Sequence, residues 1–264
     1  MKFIFTDIDG TLVYHEKQNT IIPDKTKECL IKLKEKGHKI IINTGRSPKS
    51  LEKIKELFEF DGYIASLGAY VEIDNKLVID DPFDHSQVKQ IIDLANKYNI
   101  RLMLDGYDKS YLSSDWIEDL ARYRNPEDIK TWKHLSEYNP DIKIYKVLFK
   151  ALKEDDYHLF FGNIRFLFNV VSGSKREYLT GEISKLENSK GLCIKKLIRL
   201  GIINDDTIAI GDGNNDNDMI KMAKIGIAMA NGLDLVKKQA DIITSDVRDN
   251  GYYKAFKDLG LIDD

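Results

Sequence analysis

Two regimes of hydrophobic patterning alternate along this chain. Short unbroken apolar runs end in Gly, Asp or Asn, and between them lie longer stretches with apolar residues every three or four positions. Residues 3–5, Phe-Ile-Phe, predict a first buried strand. Pro23 and Asp24 open a helix to about residue 36, with Cys29, Leu30 and Leu33 facing inward and Gly37 ending it. Residues 38–43 contain Ile40, Ile41 and Ile42 in succession, as in a parallel strand covered on both faces. Ser47 caps a predicted helix with Pro48 at its first position and Leu51, Ile54, Leu57 and Phe58 on its inner face. Residues 63–66 predict a third strand, and residues 70–73 and 76–79 a hairpin across Asp74-Asn75. The polar stretch from Thr11 to Thr20 is expected to be a loop.

From about residue 84 to residue 182 the pattern changes. Helices are predicted over 87–98, 115–124 and 155–162, and strands over 101–104, 110–113, 144–150 and 165–171. Strands gathered apart from helices suggest an α+β layer. Most of its aromatic residues (Tyr107, Tyr111, Trp116, Tyr123, Trp132, Tyr145, Phe160, Phe161, Phe166 and Phe168) are expected to form its core. The α/β alternation then resumes. A helix over 192–200 follows Ser189-Lys190-Gly191, and strands are predicted over 206–210, 225–229 and 241–244, with a helix over 219–223 between the first two and another helix between the last two. Right-handed crossovers are the default for such β-α-β units. The expected fold class is α/β: a doubly wound, Rossmann-like parallel-sheet core over residues 1–82 and 185–264, with an α+β domain inserted over 83–184.

Composition narrows the function classes. A formal net charge of −3 over 264 residues provides no global field for nucleic acid or an acidic membrane. Lys53 and Lys55 alternate with Glu52 and Glu56, as on a solvated helix face. Cys29 and Cys193 lie in separate amphipathic segments, which suits buried thiols in a reducing compartment and not a disulfide framework. No charged-then-apolar leader precedes the first strand, and no apolar run approaches the roughly 20 residues of a membrane span. The expectation is a cytoplasmic protein with neither membrane nor nucleic-acid partners.

The chemistry concentrates at strand ends. Asp7 and Asp9 flank Ile8 where the first strand stops, and Gly10 permits a tight turn. Two crowded carboxylates need a cation or a raised pKa, although an Asx-type turn or helix N-cap is the plainer alternative. Thr44, Gly45 and Arg46 follow the second strand and supply a hydroxyl, N–H groups and a guanidinium suited to an anion. Residues 212–218 hold Asp212, Asp216 and Asp218 with three asparagines, a donor set suited to Mg²⁺. An EF-hand starting at Asp212 would need Gly and Glu where Asn217 and Ala223 stand. In open α/β sheets such strand ends converge on one edge. Carboxylates, a hydroxyl, Lys190 and N–H groups there form a coherent set for phosphate with Mg²⁺.

Asp-Ile-Asp-Gly-Thr, Asn-Thr-Gly-Arg, Ser-Lys-Gly and Gly-Asp-Gly-Asn-Asn-Asp resemble, in order, the four motifs of the haloacid dehalogenase superfamily. The insertion resembles its type IIB cap, and Gly-Ile-Ala-Met-Ala-Asn-Gly resembles the Cof-like branch, mostly Mg²⁺-dependent phosphatases. The resemblance implies that Asp7 is the nucleophile, forming an aspartyl phosphate, and that Asp9 is the general acid and then the base. It implies Mg²⁺ held by Asp7, the Asp9 backbone carbonyl and Asp212, with Asp216 supporting Lys190 or the water shell of the metal. Ile8, Thr44, Gly45, Arg46, Lys190 and Asn215 are implied to bind substrate phosphate. The implied partner is a small phosphate ester, such as a sugar phosphate or phosphorylated cofactor, met by a monomer or weak homo-oligomer. A phosphomutase of the same superfamily and a non-catalytic phosphate or metal sensor are the alternatives. One departure stands out: many relatives carry Asn-Gly-Ala where this chain has Leu67-Gly68-Ala69.

Overall fold

The first apolar run forms β1 (Phe3–Thr6), all of it buried. The polar stretch after it is not a plain loop. It holds an antiparallel pair, β2 (Tyr14–Glu16) and β3 (Asn19–Ile21), whose short and largely exposed strands carry no apolar period. Next come α1 (Asp24–Glu35) and β4 (Lys39–Asn43). The helix predicted after Ser47 is a 3₁₀ turn, Pro48–Leu51, and a single α turn, α2 (Glu52–Lys55), so Leu57 and Phe58 lie beyond it. Ser47 makes no capping bond to the backbone; its hydroxyl lies 3.2 Å from that of Ser50. Then β5 (Gly62–Ala65) leads to the hairpin of β6 (Tyr70–Ile73) and β7 (Lys76–Asp80). Asp74 and Asn75 both have positive φ, as a two-residue hairpin turn requires.

The middle of the chain builds α3 (His85–Lys97), β8 (Ile100–Gly106), β9 (Ser110–Leu112), α4 (Ser114–Ala121), β10 (Trp132–His134), β11 (Ile144–Ala151), α5 (Glu154–Ile164), β12 (Asn169–Ser172) and β13 (Leu179–Ser184). These strands form one six-stranded sheet in the order β10-β9-β8-β11-β13-β12. Val88, Ile91 and Ala95 of α3 and Tyr157, Phe160 and Ile164 of α5 share a core with Leu102, Leu104, Val147, Phe149 and Ile183. Where residues 165–171 were expected to be extended, α5 runs to Ile164 and strand begins only at Asn169, because Phe160 and Ile164 continue the inward helical period. Of the expected core aromatics, Tyr107 is half exposed.

The chain then makes α6 (Lys190–Arg199), β14 (Thr207–Gly211), a 3₁₀ turn over Asn214–Asp216, α7 (Asn217–Met222), β15 (Ile225–Ala228), α8 (Asp234–Gln239), β16 (Ile242–Ile243) and α9 (Gly251–Asp258). An eight-stranded doubly wound sheet runs β16-β15-β14-β1-β4-β5-β6-β7, with every pairing parallel except the antiparallel β5–β6 and β6–β7. One face buries Phe3, Phe5 and Ile41 with Ile194 and Leu197 of α6, Met219 and Ile220 of α7 and Val236 of α8. On α1, which packs against β4 and α9, Leu30 and Leu33 are wholly buried. The computed structural model describes residues 1–16, 19–121, 129–165, 167–172 and 179–263; Tyr123, Phe166 and the end of the helix expected over 115–124 lie outside them. The chain divides into two units: residues 1–46, 53–80 and 188–264, and residues 47–52 with 81–187. Residues 47–52, assigned to the core from the sequence, group with the second unit.

Candidate functional site

β1 is flanked on both sides by parallel neighbours, β14 and β4. The register sets Thr6 level with Ile210 and with Ile42. Asp7, Asp212 and Thr44 therefore leave the sheet within two residues of one level, at the carboxyl ends of three adjacent strands. The Asp7 N–H donates to the Ile210 carbonyl at 3.1 Å, fixing the start of this turn to β14.

Lys190 reaches the same place from the first turn of α6. Ser189 caps that helix by accepting the Leu192 N–H at 3.1 Å. Asn43, at the end of β4, donates to the Lys190 carbonyl at 3.2 Å. The wholly buried ammonium of Lys190 donates to Asp7 Oδ1 and Asp216 Oδ1, both at 2.5 Å. Asp216 Oδ2 accepts the N–H groups of Asp212 and Gly213 at 2.9 and 2.7 Å. Both Asp216 oxygens are thus committed to holding Lys190 and the acidic loop in place.

Asp212 is oriented by Thr11, whose hydroxyl donates to Oδ1 at 3.1 Å. Gly10 lies against it with φ +86°, and a Cβ there would fall 2.4 Å from Asp212 Oδ2. No residue but glycine fits both the backbone and the space. Asn231 ties the two loops together. Its amide donates to the Gly10 carbonyl at 2.8 Å, and its Oδ1 accepts the Val247 N–H at 3.0 Å.

Asp7, Asp212 and Asp216 offer carboxylate oxygens within 4.8 Å of one another. One ammonium faces three carboxylates. Burial, followed by the charge of Asp216, pushes Asp7 up to about 7, against the pull of Lys190. Burial and Asp216 likewise push Asp212 up to about 6. Burial works against the charged form of Lys190, yet Asp216 and Asp7 outweigh it and raise its pKa. This is an oxygen-only donor set with surplus negative charge, which fits a hard divalent cation such as Mg²⁺. With Asp216 already committed, Asp7 and Asp212 are the side chains placed to ligate one.

The carboxylate of Asp9 points elsewhere, so only its backbone carbonyl could join that donor set. Arg46 grips it bidentately, with Nε 2.9 Å from Oδ2 and Nη2 2.5 Å from Oδ1. His15 Nε2 lies 2.6 Å from the same Oδ1. Burial raises the Asp9 pKa, but Arg46 first and His15 second outweigh it, and the net shift is downward. Of the two crowded carboxylates at the end of β1, the raised one is therefore Asp7, and Asp212 is raised with it.

Thr44 is buried, and its hydroxyl oxygen accepts the Arg46 N–H at 3.1 Å, leaving the hydroxyl proton to donate. The Thr44 N–H is bonded to the Ile64 carbonyl at 2.9 Å. The N–H groups of Thr44 and Arg46, expected to face an anion, are thus satisfied internally. The Ile8 side chain is wholly buried, which leaves only its backbone to meet a ligand. Asn215 is exposed in the 3₁₀ turn after β14. Ser66 and Leu67 have φ of 48° and 59°, and their N–H groups bond the carbonyls of Arg46 and Thr44. Two consecutive left-handed non-glycine residues cost roughly 1–2 kcal/mol each, and these bonds hold them in place. Sequence reasoning missed Thr11, His15 and Asn231 as site residues. Thr11 and Asn231 stood within quoted motifs, whereas His15 had no signal beyond its nearness to Asp9.

The chain is similar to known proteins over nearly its whole length. The family description "haloacid dehalogenase-like hydrolase" matches residues 4–256. YkrA, a putative phosphatase of Bacillus subtilis strain 168, is 29% identical over 99% of this chain and 98% of its own. The 5-amino-6-(5-phospho-D-ribitylamino)uracil phosphatase YcsE of the same organism is 25% identical over 97% and 95%. Among solved structures, the HAD subclass IIB sugar phosphatase BT4131 superposes with a TM-score of 0.77 at 26% identity, covering 99% of this chain and all of its own.

Proposed function

The chain belongs to the haloacid dehalogenase-like hydrolases as a phosphoric monoester hydrolase, and from that premise we propose that it hydrolyses small phosphate monoesters through an aspartyl phosphate on Asp7. The observation that carries this reading is the Asp7–Lys190–Asp216 ion-pair chain beside Asp212, built at the ends of three adjacent parallel strands.

In the first half-reaction an Asp7 carboxylate oxygen attacks phosphorus. The bond from phosphorus to the ester oxygen breaks, and Asp9 passes its proton to the departing alkoxide. In the second, water attacks the same phosphorus and gives a proton to Asp9. The bond from phosphorus to Asp7 breaks, releasing inorganic phosphate. Lys190, the Thr44 hydroxyl and Asn215 offset charge on the phosphoryl oxygens. Asp7, Asp212 and the Asp9 carbonyl would hold Mg²⁺, which supplies further positive charge there. Ionised Asp9, as Arg46 and His15 hold it, is the form the second half-reaction needs. The acid form needed first is reached when Arg46 turns from Asp9 to the incoming phosphate. The second unit, residues 47–52 and 81–187, selects the alcohol. The 5-amino-6-(5-phospho-D-ribitylamino)uracil phosphatase and the sugar phosphatase among the relatives support a small polyol or sugar phosphate as that substrate.

The test is phosphate release from p-nitrophenyl phosphate and from a panel of sugar and cofactor phosphates, with and without Mg²⁺. Asp7→Asn is expected to lower turnover by at least a thousandfold while the circular dichroism spectrum and Tm stay near wild type. Turnover retained in that variant would remove Asp7 from its role. Absence of turnover in wild type across the panel would favour a sensor.

A further inference from the structure

The β2–β3 hairpin supplies a group that the phosphatase reading does not require. His15 lies on β2, directly across the pair from Thr20 on β3. The Thr20 hydroxyl is 3.3 Å from His15 Nδ1, and His15 Nε2 is 2.6 Å from Asp9 Oδ1. With the hydroxyl donating to Nδ1, the neutral ring carries its proton on Nε2 and donates it to Asp9. The cross-strand partner thereby sets the tautomer that faces the carboxylate. Arg46 approaches the same carboxylate through two parallel N–H bonds. Asp9 thus accepts three hydrogen bonds, two from an arginine that follows β4 and one from a hairpin histidine.

The side chains of His15 and Asp9 are 47% and 46% exposed. An exposed pair of this kind adds little to folding stability, so stability does not explain its geometry. What the pair does fix is the direction of the Asp9 oxygens. Resting on the function proposed above, we propose that His15 is a positioning residue that aims Asp9 at the ester oxygen, and that Thr20 orients His15 for that task. When Arg46 leaves for the phosphate, the His15 bond is the one that remains on Oδ1 and keeps the carboxyl in line.

A positioning role for the acid has a signature that a structural role lacks. Proton donation matters most when the leaving alkoxide is poor. Two esters separate the cases: p-nitrophenyl phosphate, whose leaving group departs unaided, and an alkyl sugar phosphate that wild type turns over. His15→Ala is expected to lower kcat on the sugar phosphate at least tenfold while staying within threefold on p-nitrophenyl phosphate, with KM and Tm near wild type. His15→Gln, which keeps an N–H donor, should recover part of the loss. Asp9→Asn should show the same selectivity with greater depth. An equal loss on both esters, or no loss on the sugar phosphate, overturns the role of His15 while leaving the phosphatase standing. A wild-type enzyme inactive on both esters overturns the two together.

Discussion

Asp7 and Asp9 stand two residues apart, yet their surroundings drive them in opposite directions. Asp7 sits in a cluster of three carboxylates, two of them buried, served by one ammonium, and its pKa rises to about 7. Asp9 faces a guanidinium and an imidazole, and its pKa falls. The contrast predicts how a metal binds. A cation occupying Asp7 and Asp212 must displace the protons that these groups hold below about 7 and about 6. Mg²⁺ binding at pH 6 is therefore expected to release between one and two protons, and binding at pH 8.5 almost none. Calorimetry in two buffers of different ionisation enthalpy measures the difference; equal release at both pH values would contradict it. The same shifts set a sign for stability. Between about 3.8 and about 7 the folded chain keeps a proton on Asp7 that the unfolded chain has lost. Metal-free protein accordingly loses this contribution as pH rises through that window, opposite to the usual salt-bridged aspartate, and Mg²⁺ should raise Tm more at pH 8 than at pH 5.

At the scale of elements, α6 places Lys190 through contacts that glycine alone permits. A Cβ on Gly191 would lie 2.6 Å from the Asp218 carbonyl oxygen and 2.8 Å from Met222 Sδ, both on α7. Alanine favours a helix by up to about 1 kcal/mol, whereas forcing two packed helices apart costs roughly 1–3 kcal/mol. Steric crowding wins, so Gly191→Ala should lower stability in urea and slow turnover as Lys190 shifts. A variant more stable than wild type would show that the helices absorb the methyl. Elements of this kind were legible where burial left a strong apolar signal. Ile40, Ile41 and Ile42 mark a central strand, and Val88, Ile91 and Ala95 mark an inward helical stripe. Elements decided by pairing were not. Tyr14–Glu16 and Trp132–His134 are three-residue strands with no buried residue, and only a partner strand makes them extended. Leu179–Ser184 is held between β11 and β12 without a run of apolar residues to announce it.

For the molecule as a whole, the arrangement of the site was legible because topology is restrictive. Three apolar strands, each followed at once by Asp or Thr, bring those residues to one edge when they pair in a parallel sheet, and the register of β1 with β4 and β14 does so. The pairing of Asp9 with His15 and Arg46 was not legible, since it depends on where a short hairpin folds back. The strand order bears on integrity as well. A fragment of residues 1–80 retains β4, β5, β6 and β7 beside β1, but lacks β14 and Lys190. It would present an unpaired apolar strand edge next to an uncompensated Asp7. Such a fragment is expected to aggregate, and sedimentation of freshly diluted material checks it; a monomeric, protected fragment would contradict the prediction.

Synthesis of the protein meets the same difficulty in time. β1 is a middle strand of its sheet, and one of its two neighbours is translated some two hundred residues after it. At ordinary elongation rates of roughly 5–20 residues per second, that edge waits ten seconds or more for its mate. During this interval a nascent chain lacks the strand that leads to Asp212 and Asp216, so chaperone occupancy on the segment around β1 should end only when residues 207–211 have cleared the exit tunnel.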